Sequence, residues 1–166
     1  MSALNPSLRQ VLRSPTLFLA FGFGAGLAPH GPGTWGSLLA LPLAAVLIHD
    51  PLIFALVTLV ITVLGIPICG MAARQLGEHD HGGIVWDEIA GQMLACSPLL
   101  FLPPPTNLLS GLGLAFVLFR LFDIAKPWPI RVVDRRVHGG VGIMLDDILA
   151  GALAAAVLVM FLQLIG

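Results

Sequence analysis

Two acid pairs and one single acid, Asp87-Glu88, Asp146-Asp147 and Asp123, stand at the borders of long apolar stretches. Asp87-Glu88 opens the stretch 89–102, Asp123 lies at the end of 108–124, and Asp146-Asp147 opens 148–165. Three helix ends thereby bring five carboxylates to one membrane depth. Ionisable groups there are costly and face a bundle interior or a wet cavity. Complementing a helix dipole accounts for Asp87 or Asp146 taken singly. It does not account for two adjacent acids at two helix starts, or for an acid at a helix C-terminal end, where the dipole opposes it. Such crowding calls for a cation. Oxygen ligands without paired Cys or His suit a hard ion, Mg²⁺ or Mn²⁺.

Cations follow the same border. Arg120 and Asp123 are three residues apart on one helix and can pair there; a substrate role for Arg120 is the alternative. Lys126, Arg131, Arg135 and Arg136 fall within one loop, where they serve as a topological signal, attract a lipid surface and suit an anionic, phosphorylated substrate. The segment FGFGAGLAPHGPGTWGS (21–37) offers flexible backbone and two hydroxyls, Thr34 and Ser37, just before an apolar helix. Glycines let backbone N–H groups approach an anion; close helix packing through small residues is the other reading. No Lys-Ser/Thr follows, so this is not a Walker loop. In GEHDHGG, His79 and His81 flank Asp80, a pattern open to zinc, acid–base work or a plain polar loop. His30 and His138 adjoin glycine-rich turns and have structural hydrogen bonding as their default.

The elements that position these groups are set by composition. Of 166 residues, 57% are hydrophobic and 10% charged, and mean hydropathy is +0.97; soluble domains run at about 45–50% and about 25%. Disorder, coiled coil and a disulfide scaffold are excluded, and an integral membrane protein is implied. A net charge of −1 and the lack of a dense basic run give no attraction to nucleic acid. Cys69 and Cys96 each sit alone in apolar sequence and read as small hydrophobes without a disulfide. Residues 1–16 do not read as a cleaved signal peptide.

Five apolar stretches are visible, at 38–48, 52–73, 89–102, 108–124 and 148–165. Crossing the hydrocarbon core takes about 20 apolar residues, within a range of about 17–25. The second, fourth and fifth meet that length; the first and third are short enough to be tilted partners, half-helices or a re-entrant pair. Residues 18–27 carry Gly22, Gly24 and Gly26, which weaken a helix and suggest an interfacial or re-entrant segment. If all five stretches cross, every Lys and Arg falls on one side, the cytoplasmic side by the positive-inside rule, together with eight of the nine acids. The expectation is an all-α integral membrane protein: a compact bundle of about four to five transmembrane helices with a glycine-rich N-terminal segment, residues 1–166 forming one membrane-embedded domain. Gly139, Gly140 and Gly142 are expected to shape the turn before the last span.

Three blocks, GFGAGLAPHGPGTWGSLLALP, GEHDHGGIVWDEIAG and FRLFDIAKPWPIRVVDRRVHGGVGIMLDDILAG, resemble in order and spacing the bacterial phosphatidylglycerophosphatase A family over roughly residues 18–151. The resemblance implies Mg²⁺-dependent removal of the terminal phosphate of phosphatidylglycerophosphate, giving phosphatidylglycerol at the cytoplasmic face of the inner membrane. It implies metal ligands at Asp87, Glu88, Asp123, Asp146 and Asp147 and phosphate contact at the turn 31–37. Thr34, Ser37, Arg120, Lys126, His81 and Arg131 are the residues expected to contact substrate. The DxDx(T/V) signature of aspartyl-phosphate chemistry is missing. A transporter or channel is the rival class, but it needs ionisable groups near the bilayer midplane and often carries inverted repeats. Neither is visible, and a non-catalytic assembly subunit has no need of so many acids on one face.

Overall fold

The computed structural model describes residues 6–78 and 81–165, and the described residues are helical with no strand. Two short helices, α1 (Leu8–Arg13) and α2 (Pro15–Ala20), lead into a 3-10 segment, Gly22–Leu27. Five longer helices follow: α3 (Pro32–Leu47), α4 (Pro51–Leu76), α5 (Trp86–Cys96), α6 (Leu108–Ala125) and α8 (Gly139–Ile165), with the short α7 (Ile130–Arg136) before the last. Among the described residues, α4, α6 and α8 are long and apolar enough to cross a membrane. These correspond to the three stretches long enough by sequence.

Helix ends are set by local chemistry. Asp50, the one acid away from the polar side, caps α4: its Oδ1 accepts from the N–H groups of Leu52 and Ile53 at 3.1 and 3.0 Å. Asn107 and Ser110 form a capping box at the start of α6, the reciprocal arrangement that satisfies two otherwise orphaned donors. Short links make successive long helices antiparallel. The starts of α3, α5 and α8 and the ends of α4 and α6 therefore share one face of the bundle.

Helix α5 is the centre. It packs most extensively against α8, then α3, with α4 and α6 also touching it, and most of its residues are buried. A helix ringed by other helices meets little lipid, so it need not be long or uniformly apolar. With its 3-10 extension Ser97–Leu100 it is about 24 Å long, short of the about 30 Å hydrocarbon core. Small residues permit the close approach. A Cβ on Gly151 of α8 would strike the backbone oxygen of Gly91 on α5, and one on Gly140 would strike that of Ile66 on α4. Such small-residue seams are how membrane helices pack without a hydrophobic driving force.

Three expectations are corrected. Helix α3 begins at Pro32, after Gly31 in the left-handed region (φ 58°), so Thr34 and Ser37 lie in its first turns and not in a preceding loop. Gly139, in the left-handed region at φ 75°, turns the chain into α8 as expected, but Gly140 and Gly142 lie inside the helix, where they serve packing against α4 and the α7–α8 link rather than a turn. Asp146 and Asp147 consequently sit two turns into α8, where its dipole does not explain them. The glycine segment 22–27 is irregular, with Phe23 and Gly24 at φ 58° and 107°. It crosses beneath the α4–α5 link: Val85 N–H donates to Ala20 O at 2.8 Å, and Gly26 abuts Gly83.

Candidate active site

At the shared helix end, Asp87 and Glu88 occupy the first turn of α5, whose N-cap Val85 gives no side-chain cap. Carboxylate oxygens of Asp87, Glu88 and Asp147 all lie within 4.8 Å of one another. Two unscreened charges at that spacing repel by about 3 kcal/mol at an effective dielectric constant of about 20, a crowding that a cation or a shared proton relieves. Glu88 Oε2 is buried with no hydrogen-bond partner in the protein, which leaves its lone pairs available to a ligand. An all-carboxylate donor set of this kind fits a hard divalent cation.

The remaining two acids are occupied by basic side chains. Arg120 Nη1 lies 2.5 Å from Asp123 Oδ2 and 3.9 Å from Glu88 Oε1. The intrahelical pair expected from spacing is formed, and the same guanidinium also reaches across to α5. Lys126 ends α6 in the left-handed region, φ 40°, and its Nζ donates to Asp146 Oδ2 and Asp134 Oδ1, both at 2.6 Å. Burial works against the Lys126 ammonium, but the hydrogen bonds and charges of Asp134 and Asp146 outweigh it and hold its pKa above the ordinary lysine range. Asp147 also faces the charges of Asp87, Asp123 and Asp146. All five acids anticipated from sequence therefore occupy one electrostatic neighbourhood.

The first turn of α3 roofs the cluster. A Cβ on Gly33 would overlap Glu88 Oε1 and lie 3.1 Å from Arg120 Nη1, so any larger residue here would displace both side chains. Pro32 has no N–H, and the amides of Thr34 and Trp35 are directed to Gly31 O at 2.9 and 3.4 Å. Thr34 is half-buried beside Gly31. Ser37 is buried and its hydroxyl donates to Gly33 O at 2.8 Å, bracing the roof from within.

The other candidates are placed elsewhere. His81 is buried; its Nδ1 accepts from Gly83 N–H at 3.0 Å, and its Nε2 lies 4.0 Å from Glu78 Oε2. His79 and Asp80 lie outside the described residues. Arg131 is exposed on α7, where its Nη2 donates to Ala125 O at 3.5 Å. Cys69 and Cys96 are free and buried. Two residues escaped the sequence reading. Asp134 anchors Lys126, and the only signal for it is its position one turn after the apolar Ile130. Gln92 is fully buried with an unpartnered Oε1; its signal is an amide one turn after Glu88 in an otherwise apolar helix.

Fold and site together define a multi-helix membrane protein with a carboxylate-rich polar centre flanked by an arginine and a lysine. Residues 18–162 match the family described as phosphatidylglycerophosphatase A. Phosphatidylglycerophosphatase A of Escherichia coli (strain K12) is 44% identical over 151 residues, covering 90% of this chain and 85% of the relative. Its namesake in Haemophilus influenzae is 39% identical over 165 residues, 98% of each chain. A Bacteroides thetaiotaomicron protein described as a candidate phosphatidylinositol-3-phosphatase is 37% identical over 141 residues, 81% of this chain and 86% of that one. No solved structure matches. The chain belongs to the phosphatidylglycerophosphatase A family, and it is a phosphatase.

Proposed function

We propose that this single membrane-embedded domain hydrolyses the terminal phosphomonoester of phosphatidylglycerophosphate, with Mg²⁺ held by Asp87, Glu88 and Asp147, at the cytoplasmic face of a bacterial inner membrane. The observation that carries the reading is the carboxylate triad, buried at Asp87 and Asp147 and partly buried at Glu88, roofed by Gly33 and flanked by Arg120 and Lys126, in a chain of this family. Asp123 and Asp146 complete the acidic set by holding those two cations in place.

The chemistry follows from charge. A phosphomonoester brings two negative charges to a site already rich in carboxylates. The ion, when bound, supplies Lewis-acid stabilisation of charge on the phosphoryl oxygens. Arg120 and Lys126, pre-positioned by their carboxylates, stabilise the same oxygens as charge develops, and Thr34 offers a hydroxyl at the mouth of the roof. A carboxylate of the cluster accepts the proton of the attacking water. The new bond to phosphorus forms from that water, the ester P–O bond breaks, the leaving alkoxide oxygen takes the proton back from that carboxylate, and phosphatidylglycerol and phosphate leave. Asp146 is held by Lys126, so the triad and not the full set of five is the core of the ion site.

The test is phosphate release from phosphatidylglycerophosphate by detergent-purified protein, with Mg²⁺ and with EDTA, beside phosphatidylinositol-3-phosphate as competitor substrate. Mg²⁺-dependent release with preference for phosphatidylglycerophosphate is expected. Release undiminished by EDTA would overturn the ion, and preference for the inositol lipid would overturn the substrate.

A further inference from the structure

Helix α7 has two chemically distinct faces. Its inner face carries Ile130, fully buried against Phe119, Ala150 and Ala154, and one turn later Asp134, whose carboxylate takes Lys126. Its outer face carries Arg131 and, one turn later, Arg135, with Arg136 alongside. These three arginines line, with Pro127, Trp128 and Val132, a hollow of about 440 Å³. Among the described residues, the carboxylates of this region pair with Lys126 and none pairs with the three arginines. Three guanidiniums gathered around one concavity without a counter-ion make a site for an anion from outside the chain. Trp128, 82% exposed at its rim, is the residue type that settles at headgroup level in membranes. Exposure of an indole beside arginines without a carboxylate partner fits an amphiphile with an anionic head better than a soluble ion.

We infer that the Arg131–Arg135–Arg136 hollow on the outer face of α7 binds the phosphate-bearing headgroup of an anionic phospholipid, as a site separate from the carboxylate cluster. Guanidinium groups suit this ligand because they donate paired hydrogen bonds to phosphate oxygens. The hollow lies on the back of the helix whose inner face grips Lys126, so a lipid seated there steadies α7 against the headgroup layer. No turnover of the bound lipid is involved.

Native mass spectrometry of the detergent-solubilised protein, with added phosphatidylserine or phosphatidylcholine, tests this without reference to catalysis. Phosphatidylserine has no terminal phosphomonoester, so its retention reports the headgroup site whether or not the proposed hydrolysis is correct. Wild type is expected to retain phosphatidylserine in preference to phosphatidylcholine. The double variant Arg135→Gln/Arg136→Gln should lose about thirtyfold of that preference, at about fivefold per arginine near an anionic surface. The control Arg9→Gln/Arg13→Gln removes the same charge from α1 and should retain it. Equal loss in both double variants would reduce the effect to bulk charge and overturn the site, as would an unchanged preference in Arg135→Gln/Arg136→Gln. Displacement of the lipid by inorganic phosphate would overturn the commitment to a lipid.

Discussion

Asp147 is the residue on which the acidic cluster turns, because it alone of the triad comes from α8 and faces Asp87, Asp123 and Asp146 together. Asp147→Asn keeps the volume and removes one repelling charge. Turnover should fall by at least about a hundredfold, while the thermal midpoint measured without metal stays level or rises. In wild type, added Mg²⁺ should raise the midpoint, because a ligand that binds only the folded state stabilises it. Asp147→Asn should lose most of that rise, and an intact rise would place the ion elsewhere. Lys126 gives a second test. Lys126→Met leaves Asp134 and Asp146 facing each other without their cation. A loss of about 1–2 kcal/mol is expected, discounted from fully buried pairs because Lys126 is partly solvated. The folded-state pKa of Lys126 is raised, so its contribution is full below the ordinary lysine value of about 10.4 and fades as pH climbs toward the folded-state value. The gap in unfolding free energy between wild type and Lys126→Met should therefore be constant near neutrality and narrow in strong alkali. A gap that widens there would exclude the pairing.

Glycine seams decide how the elements fit, and two substitutions separate their roles. Gly33→Ala pushes a methyl group onto Glu88 Oε1 and Arg120 Nη1, both at the ends of flexible side chains that can give way. Turnover should drop by about tenfold to a hundredfold, since small displacements in a positioned site are costly, with a thermal midpoint close to wild type. Gly151→Ala meets the Gly91 backbone instead, which cannot yield without separating α8 from α5. That variant should lose about 1–3 kcal/mol of stability, and turnover with it. Equal thermal shifts in the two would show that the α3 roof is as rigid as the α5–α8 seam. The element scale also explains why α5 is short. Its neighbours cover it, and buried Asp87 and Gln92 sit where lipid would not tolerate them.

Alternation of helix direction is what makes one face of the molecule polar. The starts of α3, α5 and α8 and the end of α6 converge, while the links at His49-Asp50 and 101–107 lie at the other end. The proposed orientation puts the basic end, with Arg74, Lys126 and the α7 arginines, in the cytoplasm. A single cysteine placed at Asn107 should react with an impermeant thiol reagent in intact spheroplasts, and one placed at Arg136 only after permeabilisation. Cys69 and Cys96 are buried and give a low background. The reverse pattern would invert the topology and move the acidic site to the outer face.

The amino-acid sequence by itself determined the class of molecule, since so little charge cannot cover a water-facing surface, and hydrophobic runs long enough to span identified α4, α6 and α8. It also placed the five carboxylates at one end, because acids at the borders of alternating apolar stretches must share a side if the stretches form antiparallel helices. What it left open was which acids meet one another. Periodicity specifies a helix face but not the neighbour it meets, and adjacent acids such as Asp146 and Asp147 point about 100° apart on a helix. Only the packing of α8 against α5 and α7 sends Asp147 to Asp87 and Glu88, and Asp146 to Lys126. The starts of α3 and α8 were likewise hidden, because glycine and proline weaken a helix in isolation yet are tolerated where a neighbouring helix satisfies and shields the backbone. Asp134 and Gly33 acquire their meaning only from residues distant in the chain, Lys126 across a turn and Glu88 across the bundle.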